Sequence, residues 1–296
     1  MPAQETISAS SEVLALQLGL RRSGRRYVGA CPACGYLNSF VVCDGADHPL
    51  VFCHACQDTD AVISAIRCLG LWRAGAGGSN FVQTQPRELS RAGVRARELW
   101  IQACAATGTL VDIYLRSRGI VASIPPTLRF LSVARHSPSN QSLPAMLAAV
   151  TVWPERRPCA VHRTFLAVDG HGKAPVDTPR MTLGPCRRGA VRLSEATDQL
   201  MVGEGIETCL AAMQATGKPA WAALSTAGLR NLEIPEHVKE VIVLADGDLP
   251  GEEAAQYAAR RWVHQGRRVR IAMAPKGKDF NDLLLDCAPT TEGRSA

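Results

Sequence analysis

Residues 200–207 read LMVGEGIE and residues 241–248 read VIVLADGD, and these two segments decide the fold. Each is a short, continuous apolar run, which is typical of strands buried on both faces of a parallel sheet. The runs AWAALS and VRIAMAP have the same character, and stretches with helical patterns lie between the runs. Strands that alternate with helices predict βαβ units, so we expect a doubly wound, Rossmann-like α/β domain over residues 197–287.

Acidic residues lie at the point where each of the two quoted strands ends. Glu204 stands between two glycines after the first strand, and Asp246 and Asp248 follow the second. Open α/β sheets bind ligands at the carboxyl ends of their strands, and carboxylate oxygens are the ligands that Mg²⁺ prefers. We therefore expect these carboxylates to converge on one cation. The alternative for Asp246 and Asp248 is an Asp-rich turn that caps the following helix.

A third acidic segment follows the last strand, where residues 276–282 read KGKDFND. We expect Asp279 and Asp282 to extend the acidic cluster and Lys278 to contact a phosphate. The alternative is the N-terminus of a helix, which favours acidic residues in its first turn. Three acidic segments that follow three strands of one parallel sheet together indicate metal-assisted phosphoryl chemistry.

The N-terminal part of the chain contains two closely spaced cysteine pairs, Cys31/Cys34 and Cys53/Cys56, among 11 cysteines in total. The spacing within and between these pairs is typical of a structural zinc site. Four thiolates complete a tetrahedron around Zn²⁺ and leave no open position for chemistry. Two β-like runs between the pairs predict a β zinc ribbon, and the alternative is a cluster of reduced thiols in a core.

Charge is unevenly distributed along the chain, whose net charge is +6. Residues 1–190 contain 21 Lys/Arg and 12 Asp/Glu, whereas residues 191–296 contain 12 Lys/Arg and 15 Asp/Glu. A basic front and an acidic back suit a protein that binds a polyanion with one part and metal cations with the other. The alternative is a solvated surface with ordinary variation.

Changes in composition divide the chain into segments. Residues 74–86 (AGAGGSNFVQTQP) are rich in glycine and polar residues, which predicts a linker. The expected order is a zinc-ribbon module with a basic N-terminal arm (1–73), this linker (74–86), a basic, mixed α+β region with mostly antiparallel strands (87–196), the doubly wound domain (197–287) and a tail (288–296).

The start of the chain, MPAQETISAS, lacks the features of a signal peptide, and the longest apolar stretch is too short to span a bilayer. We therefore expect a cytoplasmic protein with reduced thiols and no membrane partner. The chain contains no G-x-x-x-x-G-K-[ST] sequence, so no P-loop motor is predicted. A replicative helicase, if one is needed, would be a separate partner.

The order of the acidic segments resembles that of the Toprim domain, which bacterial-type primases, topoisomerases and some nucleases share. The cysteine ribbon is similar to the zinc-binding domain that precedes Toprim in bacterial and phage primases. The segment between them, with YLRSRG at 114–119 and HRT at 162–164, resembles the matching region of plasmid- and phage-type primases. The Toprim-like motifs are Glu204-Gly205, Asp246-Gly247-Asp248 and Lys278-Asp279-x-Asn281-Asp282, and they span about residues 197–287.

The resemblance implies a DNA primase that makes short RNA primers on a single-stranded DNA template from ribonucleoside triphosphates, with Mg²⁺ or Mn²⁺. It implies that Glu204 is the catalytic carboxylate and that Asp246 and Asp248 hold the metal and share in catalysis. It also implies that Asp279, together with Asp282, completes the cluster.

One position departs from the family pattern. Many primases have an acid four residues after the first Glu, where this chain has Thr208, and Glu207 stands one residue earlier. The Glu-Gly-Ile-Glu-Thr form resembles a plasmid and phage branch, so the departure bears on the role of Glu207 more than on that of Glu204.

Two other functions are consistent with the same sequence. A metal-dependent nuclease would use the same fold, with water instead of a 3′ hydroxyl as the nucleophile. A non-catalytic, DNA-binding replication accessory protein would carry an inert Toprim-like domain. In the primase interpretation, four residues are candidate contacts to template or triphosphate, and their alternative is ordinary surface arginines: Arg116, Arg118, Arg163 and Arg180.

Overall fold

The computed structural model describes residues 10–33, 35, 37–45, 48–54, 59–72 and 90–286. The chain forms two compact units, which separate between Arg87 and Glu88. Each unit has its own sheet. Among the helices of the described ranges, none combines the length and the apolar character that crossing a bilayer requires.

The N-terminal unit contains a four-stranded antiparallel sheet of order β1-β2-β3-β4 and two helices. Its elements are α1 (Ser11–Gln17), β1 (Arg21–Ser23), β2 (Arg26–Gly29), β3 (Phe40–Cys43), β4 (Leu50–Cys53) and α2 (Thr59–Cys68). Strands β3 and β4 are the two β-like runs between the cysteine pairs. Their register pairs Phe40 with Cys53 and Val42 with Val51, and all four residues are buried on one face of the sheet.

The C-terminal unit contains one ten-stranded mixed sheet. Its elements are α3 (Arg91–Gln102), β5 (Cys104–Ala105), α4 (Leu110–Ser117), β6 (Leu128–His136), β7 (Gln141–Thr151), β8 (Ala160–Phe165), β9 (Arg180–Leu183), β10 (Ala190–Arg192), β11 (Gln199–Gly203), α5 (Ile206–Thr216), β12 (Ala220–Ala222), α6 (Thr226–Asn231), β13 (Glu240–Ala245), α7 (Leu249–His264), β14 (Arg268–Met273) and α8 (Phe280–Asp286). The main path is β14-β13-β11-β12-β10-β7-β6-β5, and β8 pairs with β7 and with β9.

The four apolar runs of the C-terminal region are the strands β11 to β14. They pair in parallel, and β11 lies between β12 and β13. Strand β11 buries both of its faces, because Leu200 and Val202 join one apolar cluster with Trp262 while Met201 joins another with Leu244. This double burial explains why the run is continuously apolar, and it confirms the predicted doubly wound fold.

Strand β10 joins the parallel and antiparallel halves of this sheet. It pairs antiparallel with β12 on one side and with β7 on the other. The expected boundary between residues 196 and 197 lies in the connection from β10 to β11. The two halves also share a core, in which Tyr114 and Met146 of the first half cluster with Ile206 and Leu210 of the second. Side chains from both halves can therefore surround one site.

Candidate functional site

Glu204 lies at the turn between β11 and α5. The strand ends at Gly203, the helix begins at Ile206, and Gly205 is the N-cap of that helix. A Cβ at Gly203 would lie 3.1 Å from the Cys209 sulfur, which is tighter than ordinary packing. The sharp turn that places Glu204 at the carboxyl end of the strand therefore depends on a residue without a side chain.

Asp246 lies directly after β13, in a loop that packs against the loop after β14. The Gly247 N–H donates to the Lys278 carbonyl at 3.1 Å, and the Gly277 N–H donates to the Gly247 carbonyl at 3.0 Å. A Cβ at Gly247 would overlap the Pro275 carbonyl oxygen. The two loops approach this closely because residue 247 is glycine, and their contact brings the second and third acidic segments together.

Three of the predicted site residues also cap helices. Asp248 is the N-cap of α7, and its Oδ1 accepts from the Gly251 N–H at 2.8 Å. At the start of α8, Asp279 Oδ1 accepts from the Asp282 N–H at 2.9 Å, and Asp282 Oδ2 accepts from the Asp279 N–H at 3.0 Å. The helix-capping alternative is therefore observed in both segments. Each of these hydrogen bonds uses one carboxylate oxygen, and metal binding by the three residues remains a prediction.

The carboxylates of the acidic cluster repel one another. Burial, followed by the charges of Asp246 and Asp248, raises the pKa of Glu204 to about 7. Burial, followed by the charges of Asp279 and Asp248, raises the pKa of Asp246 to about 6. The Oδ1 atom of Asp246 is buried and has no hydrogen-bond partner among the described residues. A buried carboxylate oxygen among like charges is a position that a bound cation would stabilise.

The acidic cluster is not a completed metal centre. Among residues 10–72 and 90–286, as far as they are described, no three His, Cys, Asp or Glu side chains lie close enough to hold one ion. Mg²⁺ usually takes one or two carboxylates and keeps several waters or substrate phosphate oxygens. The chemistry of the donors therefore fits Mg²⁺ that binds together with a phosphate-bearing substrate.

The predicted zinc ligands lie partly outside the described residues. Cys31 and Cys53 are buried in the N-terminal unit, and the Cys53 sulfur lies 3.3 Å from Ser39 Oγ. Cys34 and Cys56 fall in the parts of the chain that are not described. The four-cysteine site remains a prediction.

Basic residues from the antiparallel half act on the acidic cluster. Arg180, the first residue of β9, lowers the pKa of Asp246 and, after Arg230 of α6, that of Glu204, against the larger effects that raise them. Its guanidinium makes no hydrogen bond or ion pair within the described part of the chain. Arg118 lies 3.9 Å from Asp282. These two predicted contacts are therefore placed near the carboxylates.

The remaining predicted basic residues have other partners. Arg116 pairs with Asp112 one helical turn away, at 2.8 Å. The Arg163 guanidinium lies over the Phe165 ring and donates to the Arg135 carbonyl at 3.3 Å. Lys278 is exposed and pairs with Asp286 at 2.6 Å. Phosphate contact by Lys278 stays a prediction, and it would require the ammonium to leave or share that carboxylate.

The structure places two further residues beside this site that no sequence pattern indicates. Tyr114 in α4 and Lys173 in the β8–β9 connection both contact Glu207, which lies in the first turn of the helix that follows Glu204. Tyr114 belongs to the YLRSRG segment, but nothing in that segment indicates a carboxylate partner. Lys173 is a single lysine in the polar loop DGHGKAP and gives no local signal.

Two family models match the C-terminal unit. Residues 90–193 match a domain of unknown function, DUF7146, and residues 199–289 match the Toprim domain. The predicted Toprim domain is therefore confirmed, and the chain carries it at residues 199–289. No curated protein sequence matches this chain significantly.

Several solved primase structures are similar to this chain. A DNA primase domain from Pseudomonas aeruginosa is 17% identical, with a TM-score of 0.45 over 66% of this chain and 74% of that one. The Aquifex aeolicus primase, comprising zinc-binding and RNA polymerase domains, is 15% identical, with a TM-score of 0.45 over 95% and 80%. The primase fragment of the bacteriophage T7 primase-helicase is 15% identical, with a TM-score of 0.40 over 88% and 94%.

Proposed function

We propose that this chain is a primase-type nucleotidyltransferase, which joins ribonucleoside triphosphates into short RNA primers on single-stranded DNA. One observation carries the proposal. Glu204 and Asp246 follow two neighbouring parallel strands, β11 and β13, and the charge of Asp246 raises the pKa of Glu204. The match of residues 199–289 to the Toprim domain supports the same function.

The acidic cluster would hold Mg²⁺ or Mn²⁺. The proposed ligands are Asp246, Asp248 and Glu204, of which the ion would take one or two directly and reach the rest through water or substrate oxygens. Asp279 and Asp282 would add negative charge around them. The buried, unpartnered Oδ1 of Asp246 supports this assignment, because a cation would provide the partner that it lacks. When bound, the ion would neutralise the triphosphate and the leaving pyrophosphate.

Glu204 is suited to proton transfer in this reaction. Without metal its pKa is about 7, and a cation bound beside it would lower that pKa, so the carboxylate would be charged and able to accept a proton at neutral pH, as a general base must. A bond forms between the 3′ oxygen of one nucleotide and the α-phosphorus of the next, and the bond to pyrophosphate breaks. Glu204 would accept the proton that the 3′ hydroxyl loses, while Arg180 would contact the negatively charged phosphates.

The N-terminal unit would hold one structural Zn²⁺ and contact the template. Binding of zinc by four thiolates would stabilise this small unit, because metal binding is coupled to folding in such modules. The β1–β2 hairpin carries exposed arginines that suit template phosphates. The proposed zinc ligands are Cys31, Cys34, Cys53 and Cys56, and the proposed phosphate contacts are Arg21, Arg22, Arg25 and Arg26.

The test is a primer-synthesis assay with Mg²⁺, single-stranded template and labelled ribonucleotides. Glu204→Gln and Asp246→Asn should abolish the synthesis of short oligomers, whereas Glu253→Gln, at an exposed position of α7, should not. A template that becomes shorter without new oligomers would favour the nuclease. DNA binding without any reaction, unchanged in the Glu204 and Asp246 variants, would favour the accessory protein.

A further inference from the structure

Glu207 is a buried carboxylate that is separate from the acidic cluster. It lies in the first turn of α5, three residues after Glu204, and only 7% of its surface is exposed. Its Oε1 accepts a hydrogen bond from the Tyr114 hydroxyl at 2.5 Å and lies 3.8 Å from the Lys173 ammonium. A buried carboxylate needs such partners, and both come from the antiparallel half of the unit.

The network holds Glu207 in its charged form. Burial alone would raise the pKa of Glu207, but Lys173, the Tyr114 hydroxyl and Arg180 together hold it below its ordinary value. Burial, followed by the charge of Glu207, raises the pKa of Tyr114, so this hydroxyl keeps its proton and remains a donor. Glu207 is therefore a buried carboxylate with a fixed negative charge.

The backbone of Lys173 is also held in place. Lys173 forms an isolated antiparallel bridge with Leu166, directly after β8. The turn between them packs closely on α4, since a Cβ at Gly170 would lie 3.1 Å from Ile113. The side chain of Lys173 remains one-third exposed, at 33%. The ammonium therefore touches Glu207 on one side while part of the side chain remains open to solvent.

Other charges near Lys173 are those of the proposed active site. The positive charges of Arg180 and Arg118 lower its pKa, after the larger effect of burial, and the charge of Asp279 raises it. Lys173 pairs with Glu207 at 3.8 Å and Arg118 with Asp282 at 3.9 Å, whereas Arg180 has no ion pair within the described part of the chain. The group therefore keeps positive charge that a further anion would stabilise. A polyphosphate has the charge and the oxygen acceptors for this position. The Lys173 ammonium has three donors to offer it, because its contact with Glu207 is an ion pair at 3.8 Å and not a hydrogen bond.

We propose that Glu207 is a positioning residue, which together with Tyr114 fixes the Lys173 ammonium where it binds the triphosphate of the incoming nucleotide. This inference rests on the proposed function and adds one residue, Lys173, to the substrate site. Glu207 acts through Lys173 and does not ligate the metal.

The test is a double-mutant cycle on Lys173→Met and Glu207→Gln, with ATP as the nucleotide and Mg²⁺ present. Lys173→Met should raise the KM for ATP in primer synthesis, and the Kd for ATP in equilibrium binding, by about tenfold, which is the loss of one charged contact. The kcat should change by less than about threefold, because Lys173 binds the phosphates and does not transfer the proton. Lys173→Arg should restore most of the affinity.

The coupling between the two residues decides the role of Glu207. Glu207→Gln should raise the KM to a similar extent, and the double variant should be no worse than either single one. Additive effects, or an unchanged KM with a lower thermal midpoint, would show that Glu207 is only structural and would overturn the inference. Tyr114→Phe, which keeps the ring in the core, provides a second variant and should raise the KM in the same direction.

Failure of this inference and failure of the proposed function are distinguishable. If the unmodified chain binds no ATP and makes no primers, the proposed function is wrong and the inference is wrong with it. If the unmodified chain binds ATP and Lys173→Met binds it equally well, only the inference is wrong.

Discussion

Replacing Asp246 by asparagine should stabilise the metal-free fold and remove its response to Mg²⁺. Burial and neighbouring carboxylates raise the pKa of Asp246 from 3.8 to about 6, so the folded state disfavours the ionised form. Below its unfolded pKa this carboxyl group is protonated in both states, so it does not lower the free energy of unfolding. As pH rises through the folded pKa the group ionises in the folded state as well, and the full destabilisation is reached. At pH 8 the folded state therefore carries the full free-energy cost of an ionised Asp246, and a neutral asparagine removes that cost.

The magnitude follows from the size of the pKa shift. A shift of about two units corresponds to about 3 kcal/mol of unfolding free energy, at about 1.4 kcal/mol per unit. Asp246 is only partly buried, and solvent screening reduces this figure. We therefore expect Asp246→Asn to raise the free energy of unfolding by about 1–2 kcal/mol at pH 8 without metal, and by nearly nothing at pH 4.

The assay is urea denaturation at both pH values, in EDTA and in 10 mM Mg²⁺. If the site binds Mg²⁺ with a Kd of roughly 1 mM, the ion should add about 1.4 kcal/mol to the unmodified chain and nothing to the variant. A variant that is less stable in EDTA at pH 8, or that gains as much from Mg²⁺ as the unmodified chain, would refute the reasoning.

Three further predictions follow from other features of the chain. Gly247→Ala should destabilise the C-terminal unit by about 2 kcal/mol or more in urea denaturation, because its Cβ would overlap the Pro275 carbonyl. The control Gly172→Ala, with open space around it, should be neutral within about 0.5 kcal/mol, and equal effects of the two variants would contradict this. Glu204→Gln should flatten the pH dependence of metal-free stability between about pH 4.5 and pH 7, because folding raises the pKa of Glu204 from 4.5 to about 7. An unchanged dependence of the unfolding free energy on pH, measured by urea denaturation, would argue against this. Zinc quantification should give one Zn²⁺ per chain, which Cys31→Ser should lose. The control Cys104→Ser, which changes an exposed cysteine of the other unit, should keep the zinc, and zinc retained by Cys31→Ser would exclude the proposed site.

The central strands of the parallel half could be predicted because they are buried on both faces. The expectation of a buried strand is wrong for β14, which lies at the edge of the sheet and is largely exposed. Leu200, Met201 and Val202 face two different apolar clusters, so their burial is visible as an unbroken apolar run. Helix α6 is harder to find, since its six residues are too few to show a helical period. It also contains Gly228, which must approach the Ala223 carbonyl closely and weakens any helical pattern.

The pairing of the two halves of the sheet could not be predicted. Residues Ala190–Arg192 read as a strand in the sequence, but nothing local indicates that Val191 pairs with Ala222 as well as with Val150. Register between distant strands is decided by tertiary packing, which single-sequence patterns do not encode. For the same reason the sequence did not reveal that one core extends across both halves.

The position of the acidic residues at the carboxyl ends of the strands could be predicted, whereas their hydrogen-bond and ion-pair partners could not. Glu204 and Asp246 stand in motifs at the ends of recognisable strands. Tyr114 reaches Glu207 across 93 residues of sequence, so the contact exists only once the fold has formed. At Asp248 the two interpretations were not exclusive, because one carboxylate can cap a helix with one oxygen and offer the other to a cation.

The most direct measurement is a crystal structure of the chain soaked in Mn²⁺, with an anomalous difference map at the manganese edge. We predict one peak within bonding distance of the Asp246 carboxylate and in contact with Glu204, at the carboxyl ends of β11 and β13. A well-ordered site without such a peak at saturating Mn²⁺, or manganese bound only elsewhere on the chain, would contradict the metal-dependent mechanism.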